Sequence, residues 1–129
     1  MRRGILHRIG NWGPVVLYLG LIFYLSSLSD VSWAGGTPDW ASHSLEYMGL
    51  AILLARALND GFDRPAPPGW LALTFLLCVA YAVLDEVHQM FVPDRFADYR
   101  DVLADAAGAG MGLLGLYLAG RLFTGRRTA

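Results

Sequence analysis

Residues 71–105 read LALTFLLCVAYAVLDEVHQMFVPDRFADYRDVLAD, and the expected architecture follows from how they are interpreted. Leu71–Leu84 carries no charge, and Asp85, Glu86 and Gln89 follow it with no helix breaker between them. They therefore belong to the same helix. At about 100° per residue, Asp85 and Gln89 share one face and Glu86 lies beside them. Carboxylates on a helix this apolar are costly unless they face a partner or water, which makes them a functional-site candidate from the outset. Asp94, Asp98, Asp101 and Asp105 follow, so five of the nine aspartates fall between 85 and 105.

The remaining composition fits a membrane protein. Of 129 residues, 55% are hydrophobic, and the mean hydropathy is +0.41. That length implies a single domain, residues 1–129. A formal net charge of −1 argues against nucleic acid as a partner, because no basic surplus exists to neutralise phosphates. The single cysteine, Cys78, rules out an intramolecular disulfide and sits in an apolar run as a small core or lipid-facing residue. The first apolar stretch follows Arg2, Arg3 and Arg8 but has no small-residue cleavage site, so it reads as a membrane span and not a signal peptide.

Four stretches are long enough to cross roughly 30 Å of hydrocarbon. The first is 12–28, with Trp12 at one interface, Ser26, Ser27 and Ser29 at the other, and Pro14 in its first turn. The second is 38–58, with Thr37 as N-cap and Pro38 at the first helical position after the loop that opens at Asp30. It is the least apolar, since Ser42, His43, Ser44 and Glu46 occupy its first two turns. A Pro- and Gly-rich turn, residues 59–69, leads to the third span, 70–92, which Pro93 closes. The fourth is 102–123. The expected fold is an all-α polytopic membrane protein, a bundle of four transmembrane helices.

Arginine placement sets the expected orientation. Arg2, Arg3, Arg8, Arg56, Arg64, Arg121, Arg126 and Arg127 fall on one side of such a bundle. Only Arg95 and Arg100 fall on the other, beside Asp94, Asp98 and Asp101. The positive-inside rule then places both termini of the multi-pass chain in the cytoplasm. His43, Glu46 and the 85–105 cluster would meet near the outer surface.

His43, Glu46 and Tyr47 are an i, i+3, i+4 set and present together. With Asp85 and Glu86 they could act as general base and acid, or His43, Asp85, Glu86 and Asp101 could ligate a divalent metal. A hydrogen-bond network that only holds the helices together is the plainer alternative. Arg95 is the cation in reach and suits a phosphate or carboxylate ligand, or an ion pair with a neighbouring aspartate. His88 is set at the headgroup level, and Arg100 caps or solvates the loop. Asp101 and Asp105 are an i, i+4 pair whose stripe continues through Gly108 and Gly112, a small-residue face for close helix approach. The neighbour expected on that face is the third span, bringing Asp101 and Asp105 against Asp85 and Glu86. The same face would also admit a homodimer.

The order His43-x-x-Glu46-Tyr47, Asp85-Glu86-x-x-Gln89, Pro93-x-Arg95, Asp98-x-x-Asp101, then Gly108 and Gly112, resembles the VanZ-like family of small bacterial membrane proteins. The resemblance covers roughly residues 43–112. Two features depart from it: many relatives carry Asn where this chain has Asp105, and Pro93-Asp94-Arg95 replaces a more usual Pro-Gly-Arg turn. The family takes its name from a protein linked to teicoplanin resistance, so the resemblance implies a multi-pass protein embedded in the bacterial cytoplasmic membrane and a link to glycopeptide resistance.

Three functions fit these residues. An enzyme acting on a lipid-linked, phosphorylated envelope precursor would use His43, Glu46, Asp85 and Glu86 for chemistry. Tyr47, Gln89, Arg95, Asp98, Asp101 and Asp105 would hold its substrate. A non-catalytic protein would bind and shield the same lipid or precursor. A proton-coupled carrier fits less well, since four spans are few and no inverted repeat is visible.

Overall fold

A computed structural model describes residues 2–29 and 39–125 as four helices. They are α1 (Arg2–Ser26), α2 (Asp39–Leu58), α3 (Pro68–Gln89) and α4 (Tyr99–Gly125). Three of them are long and apolar enough to cross a membrane, over Gly4–Ser26, Pro68–Gln89 and Tyr99–Leu122. The fourth, α2, does not reach that hydropathy, and its position explains why. It packs against all three other helices and most extensively against α4, whereas α1 touches only α2 and α3. Tyr47, Leu50, Ala51, Leu54 and Ala55 of α2 form the spine of the core. A helix surrounded by protein can carry Ser42, His43, Ser44 and Glu46, because their partners come from neighbouring helices and not from lipid.

The first helix corrects the sequence reading. It begins at Arg2, ten residues before the expected span, so Pro14 lies inside it and not in its first turn. Proline lacks the N–H that would bond to the carbonyl four residues back, at Gly10. That carbonyl is taken instead by Arg56 Nη1 at 3.1 Å, so the helix defect becomes an attachment to α2. Further along, the Tyr18 ring lies under Gly49, where a Cβ would come within 2.5 Å of the phenol oxygen. Tyr81 of α3 donates to the Leu19 carbonyl at 2.9 Å.

The α2–α4 contact corrects a second expectation. The Gly108/Gly112 face packs on α2 and not on the third span. A Cβ at Gly108 would fall on the Ser44 carbonyl, with Ser44 C at 2.6 Å and Cα at 2.7 Å. At Gly112 it would meet Met48 O at 3.0 Å and Ile52 Cγ1 at 3.4 Å. Ser44, Met48 and Ile52 are one i, i+4, i+8 stripe, so two helix faces of matching period interlock.

The α3–α4 connection builds the rim of the candidate site. α3 ends at Gln89, three residues earlier than expected, and Val92–Arg95 closes a turn through Arg95 N–H to Val92 O at 3.2 Å. Within it Asp94 has φ +61°, the left-handed region that glycine enters freely. This accounts physically for the Pro-Gly-Arg pattern from which the chain departs. Asp98 then caps α4, accepting from Arg100 N–H through Oδ1 at 2.9 Å.

Arg8, Arg56, Arg64 and Arg121 lie toward one end of the bundle, where Arg56 meets Gly10 and Gly120 packs on Pro65. Arg95 and Arg100 lie at the other. Arg126 and Arg127, and the loop with Asp30, Thr37 and Pro38, fall outside the described residues.

Candidate functional site

The acidic residues of α3 are not stranded in lipid. Thr74, Cys78, Ala82, Asp85, Glu86 and Gln89 form the buried stripe of α3, so both carboxylates continue the face it turns toward α2 and α4. Glu86 spends Oε2 on the Asp98 N–H at 2.7 Å, which ties α3 to the start of α4. Asp85 accepts from Gln89 Nε2 at 3.3 Å, within its own helix.

From α2, His43 reaches across to α4. Its Nδ1 lies 3.1 Å from Asp105 Oδ1, and Nε2 lies 3.9 Å from Asp101 Oδ2. Asp105 is almost fully buried, at 1% exposure. One helical turn of α4, from Asp101 to Asp105, therefore grips one imidazole. The Ser44 hydroxyl donates to the Ala104 carbonyl at 2.9 Å beside it, and the Gly108 contact one turn further in allows this approach. Asp101 and Asp105 thus have His43 as their side-chain partner, and they also lie within electrostatic range of Glu86, with Asp85 in range of Asp105, as the sequence suggested.

The remaining candidates close the ring. Glu46 lies within electrostatic range of His43, Asp85, Arg95 and Asp105. Tyr47, fully buried, has Asp85 and Asp105 in similar range and its ring 6.4 Å from that of Tyr81. The fold therefore brings His43, Glu46, Tyr47, Asp85, Glu86, Gln89, Arg95, Asp98, Asp101 and Asp105 to one end of the α2–α3–α4 packing. His88 stays outside: its Nε2 lies 3.0 Å from Ser27 Oγ and its ring 4.4 Å from Phe23, so it joins α3 to α1. Among the described residues no group of three or more His, Cys, Asp or Glu side chains is arranged to hold a metal ion, His43, Asp85, Glu86 and Asp101 included.

Three buried side-chain atoms among the described residues find no hydrogen-bond partner in the protein: Tyr47 Oη, Glu86 Oε1 and Arg95 Nε. All three belong to this ring. Leaving such a group unpaired costs about 1–3 kcal/mol, more where it is charged. Two donors and one acceptor thus stand uncommitted and buried in this site. A cavity of about 750 Å³ lies at the opposite end, between Asn59, Arg64, Pro65 and the Leu116–Gly120 turn of α4, away from these residues.

Sequence reasoning did not pick out Ser44 or Tyr81. Both could have been found by period: Ser44 lies one turn before Met48 on the stripe that receives the glycines, and Tyr81 lies one turn before Asp85.

Helices of this length and apolarity around a buried acid–histidine–arginine ring define a small helical membrane protein with a polar site set into its bundle. The VanZ/LLP1 family profile matches residues 41–120, more than half of the chain and all of the ring, and the protein belongs to that family. Neither a curated protein nor a solved structure matches it.

Proposed function

We propose that this protein is a four-span protein of the bacterial cytoplasmic membrane, with both termini cytoplasmic. In this reading its polar ring faces the outer leaflet and acts there on the headgroup of a lipid-linked, phosphorylated envelope precursor. The observation that carries this is the set of unpartnered atoms on Tyr47, Glu86 and Arg95. Such atoms cost folding stability, and a ligand that pairs with them returns it. Orientation is supported by Arg8, Arg56, Arg64 and Arg121 at one end, against Arg95 and Arg100 among aspartates at the other. A lipid-borne ligand is supported by the exposed Phe91, Phe96 and Tyr99, which rim the ring on the α3–α4 connection. Glu86 Oε1 is the uncommitted base, and Arg95 is the anion clamp. His43, with one ring nitrogen bonded to Asp105 and the other facing Asp101, positions the α2–α4 wall.

The commitment of His43 also favours a second reading, in which the same pocket binds the precursor without turnover and shields it from glycopeptides. Lipid and precursor profiles of cells expressing the parent or Glu86→Gln, at equal membrane abundance, separate the two. A precursor depleted or modified by the parent alone supports the enzyme. Identical profiles with a retained difference in drug tolerance support shielding, and identical profiles with no phenotype refute both.

A further inference from the structure

Resting on that reading, we infer that the headgroup taken by the ring carries a protonated amine as well as a phosphate, as in an aminoethyl phospholipid, with the amine on Glu86 Oε1 and the phosphate on Arg95 Nε. The balance of acidic and basic groups in the ring favours this pairing. Among the described residues, Glu46, Asp85, Glu86, Asp98, Asp101 and Asp105 share the ring with only His43 and Arg95 as basic groups. A purely anionic headgroup would add like charge to that excess, offset by a single guanidinium. A zwitterion arrives without net charge and places each pole on its complement.

The uncommitted atoms divide in the same way. Glu86 Oε1 can only accept while ionised, and Glu86 as a whole is 6% exposed, so a buried N⁺–H donor suits it best. Arg95 Nε can only donate and suits a phosphate oxygen. Tyr47 Oη can do either, and so can pair with the phosphate or with the amine. Phe91, Phe96 and Tyr99, 81%, 87% and 71% exposed and flanking Arg95 and Asp98 in the chain, favour a lipid-borne headgroup.

A set of four defined lipids tests the inference. Purified full-length protein in detergent is offered equimolar phospholipids of one acyl composition: phosphatidylethanolamine, its N,N-dimethyl derivative, phosphatidylcholine and phosphatidylglycerol. Bound lipid is read by native mass spectrometry. The ethanolamine and dimethyl lipids, which keep an N⁺–H, should bind alike and about tenfold or more above phosphatidylcholine and phosphatidylglycerol. Glu86→Gln should reduce that preference to within about twofold, while Arg95→Gln should weaken all four lipids together. The methylation series uses the parent alone, so it stands even where a variant folds poorly. Phosphatidylglycerol binding as well as phosphatidylethanolamine, but lost in Arg95→Gln, overturns the amine and leaves the proposed function intact. Four lipids bound equally and insensitively to both variants overturn both.

Discussion

The tight approach of α4 to α2 at Gly108 gives a prediction whose size follows from the geometry. In Gly108→Ala the new methyl carbon would lie on the Ser44 carbonyl, 2.6 Å from its carbon, where ordinary contact begins at 3.4 Å. Both partners are backbone, so no rotamer change relieves the clash, and α2 and α4 must separate. Separation stretches the Ser44–Ala104 bond at 2.9 Å and the His43–Asp105 bond at 3.1 Å past useful range. Overpacking costs about 1–3 kcal/mol, and two hydrogen bonds between membrane helices add about 0.6 kcal/mol each. Replacing helical glycine by alanine returns about 1 kcal/mol. A net loss of about 2 kcal/mol is expected. Gly112→Ala, with Met48 O at 3.0 Å, should lose less, and Gly115→Ala, with nothing within 4 Å, should lose nothing. Reversible unfolding of the purified protein by SDS in mixed micelles, followed by circular dichroism, measures the series. If Gly108→Ala and Gly115→Ala agree within about 0.5 kcal/mol, the two backbones are not in contact and the reasoning fails.

Other substitutions probe the ring and the bundle. Asp105→Ala leaves His43 facing an unpaired, buried position and should destabilise by about 3 kcal/mol or more, whereas Asp105→Asn keeps a hydrogen bond and should lose less than half of that; the same unfolding assay compares them. Tyr47→Phe removes a buried hydroxyl that has no partner in the protein, so the lipid-free protein should be unchanged or about 1 kcal/mol more stable while headgroup binding weakens; a clear loss of stability would mean that the hydroxyl is already satisfied. Arg56→Ala reopens the Gly10 carbonyl that Pro14 leaves unbonded, and should loosen the first turns of α1, seen as faster amide exchange there than in α3. In whole cells a cysteine introduced at Phe96 should react with an impermeant maleimide and one at Gly61 should not, and the reverse pattern would invert the orientation.

Much of this architecture is legible in the sequence, because membrane helices announce themselves by length and by Pro and Gly at their ends. The ring is legible because four aspartates and two glutamates in so apolar a chain need a reason to be where they are. What escaped was pairing. A Gly108/Gly112 face fits any helix with a matching stripe, and only packing selects Ser44, Met48 and Ile52 over α3. Pro14 looked like a helix start because its missing N–H is cheapest there; the carbonyl it orphans is satisfied by Arg56, a residue 46 positions away. Asp98 reads as a ligand holder, and the capping bond that its carboxylate makes to α4 has no signal of its own. Such roles depend on contacts that no local pattern records.

If the uncommitted atoms of Tyr47, Glu86 and Arg95 meet a lipid headgroup, Arg95 Nε must sit beside phosphorus. Solid-state NMR of the ¹⁵N-arginine-labelled protein in bilayers, with dephasing by lipid ³¹P, measures that distance. An Arg95 Nε signal in close contact with phosphorus is expected, absent from the spectrum of Arg95→Gln and weakened in Tyr47→Phe. An Arg95 Nε signal with no phosphorus neighbour, in a protein whose other interfacial arginines show one, would contradict the headgroup site.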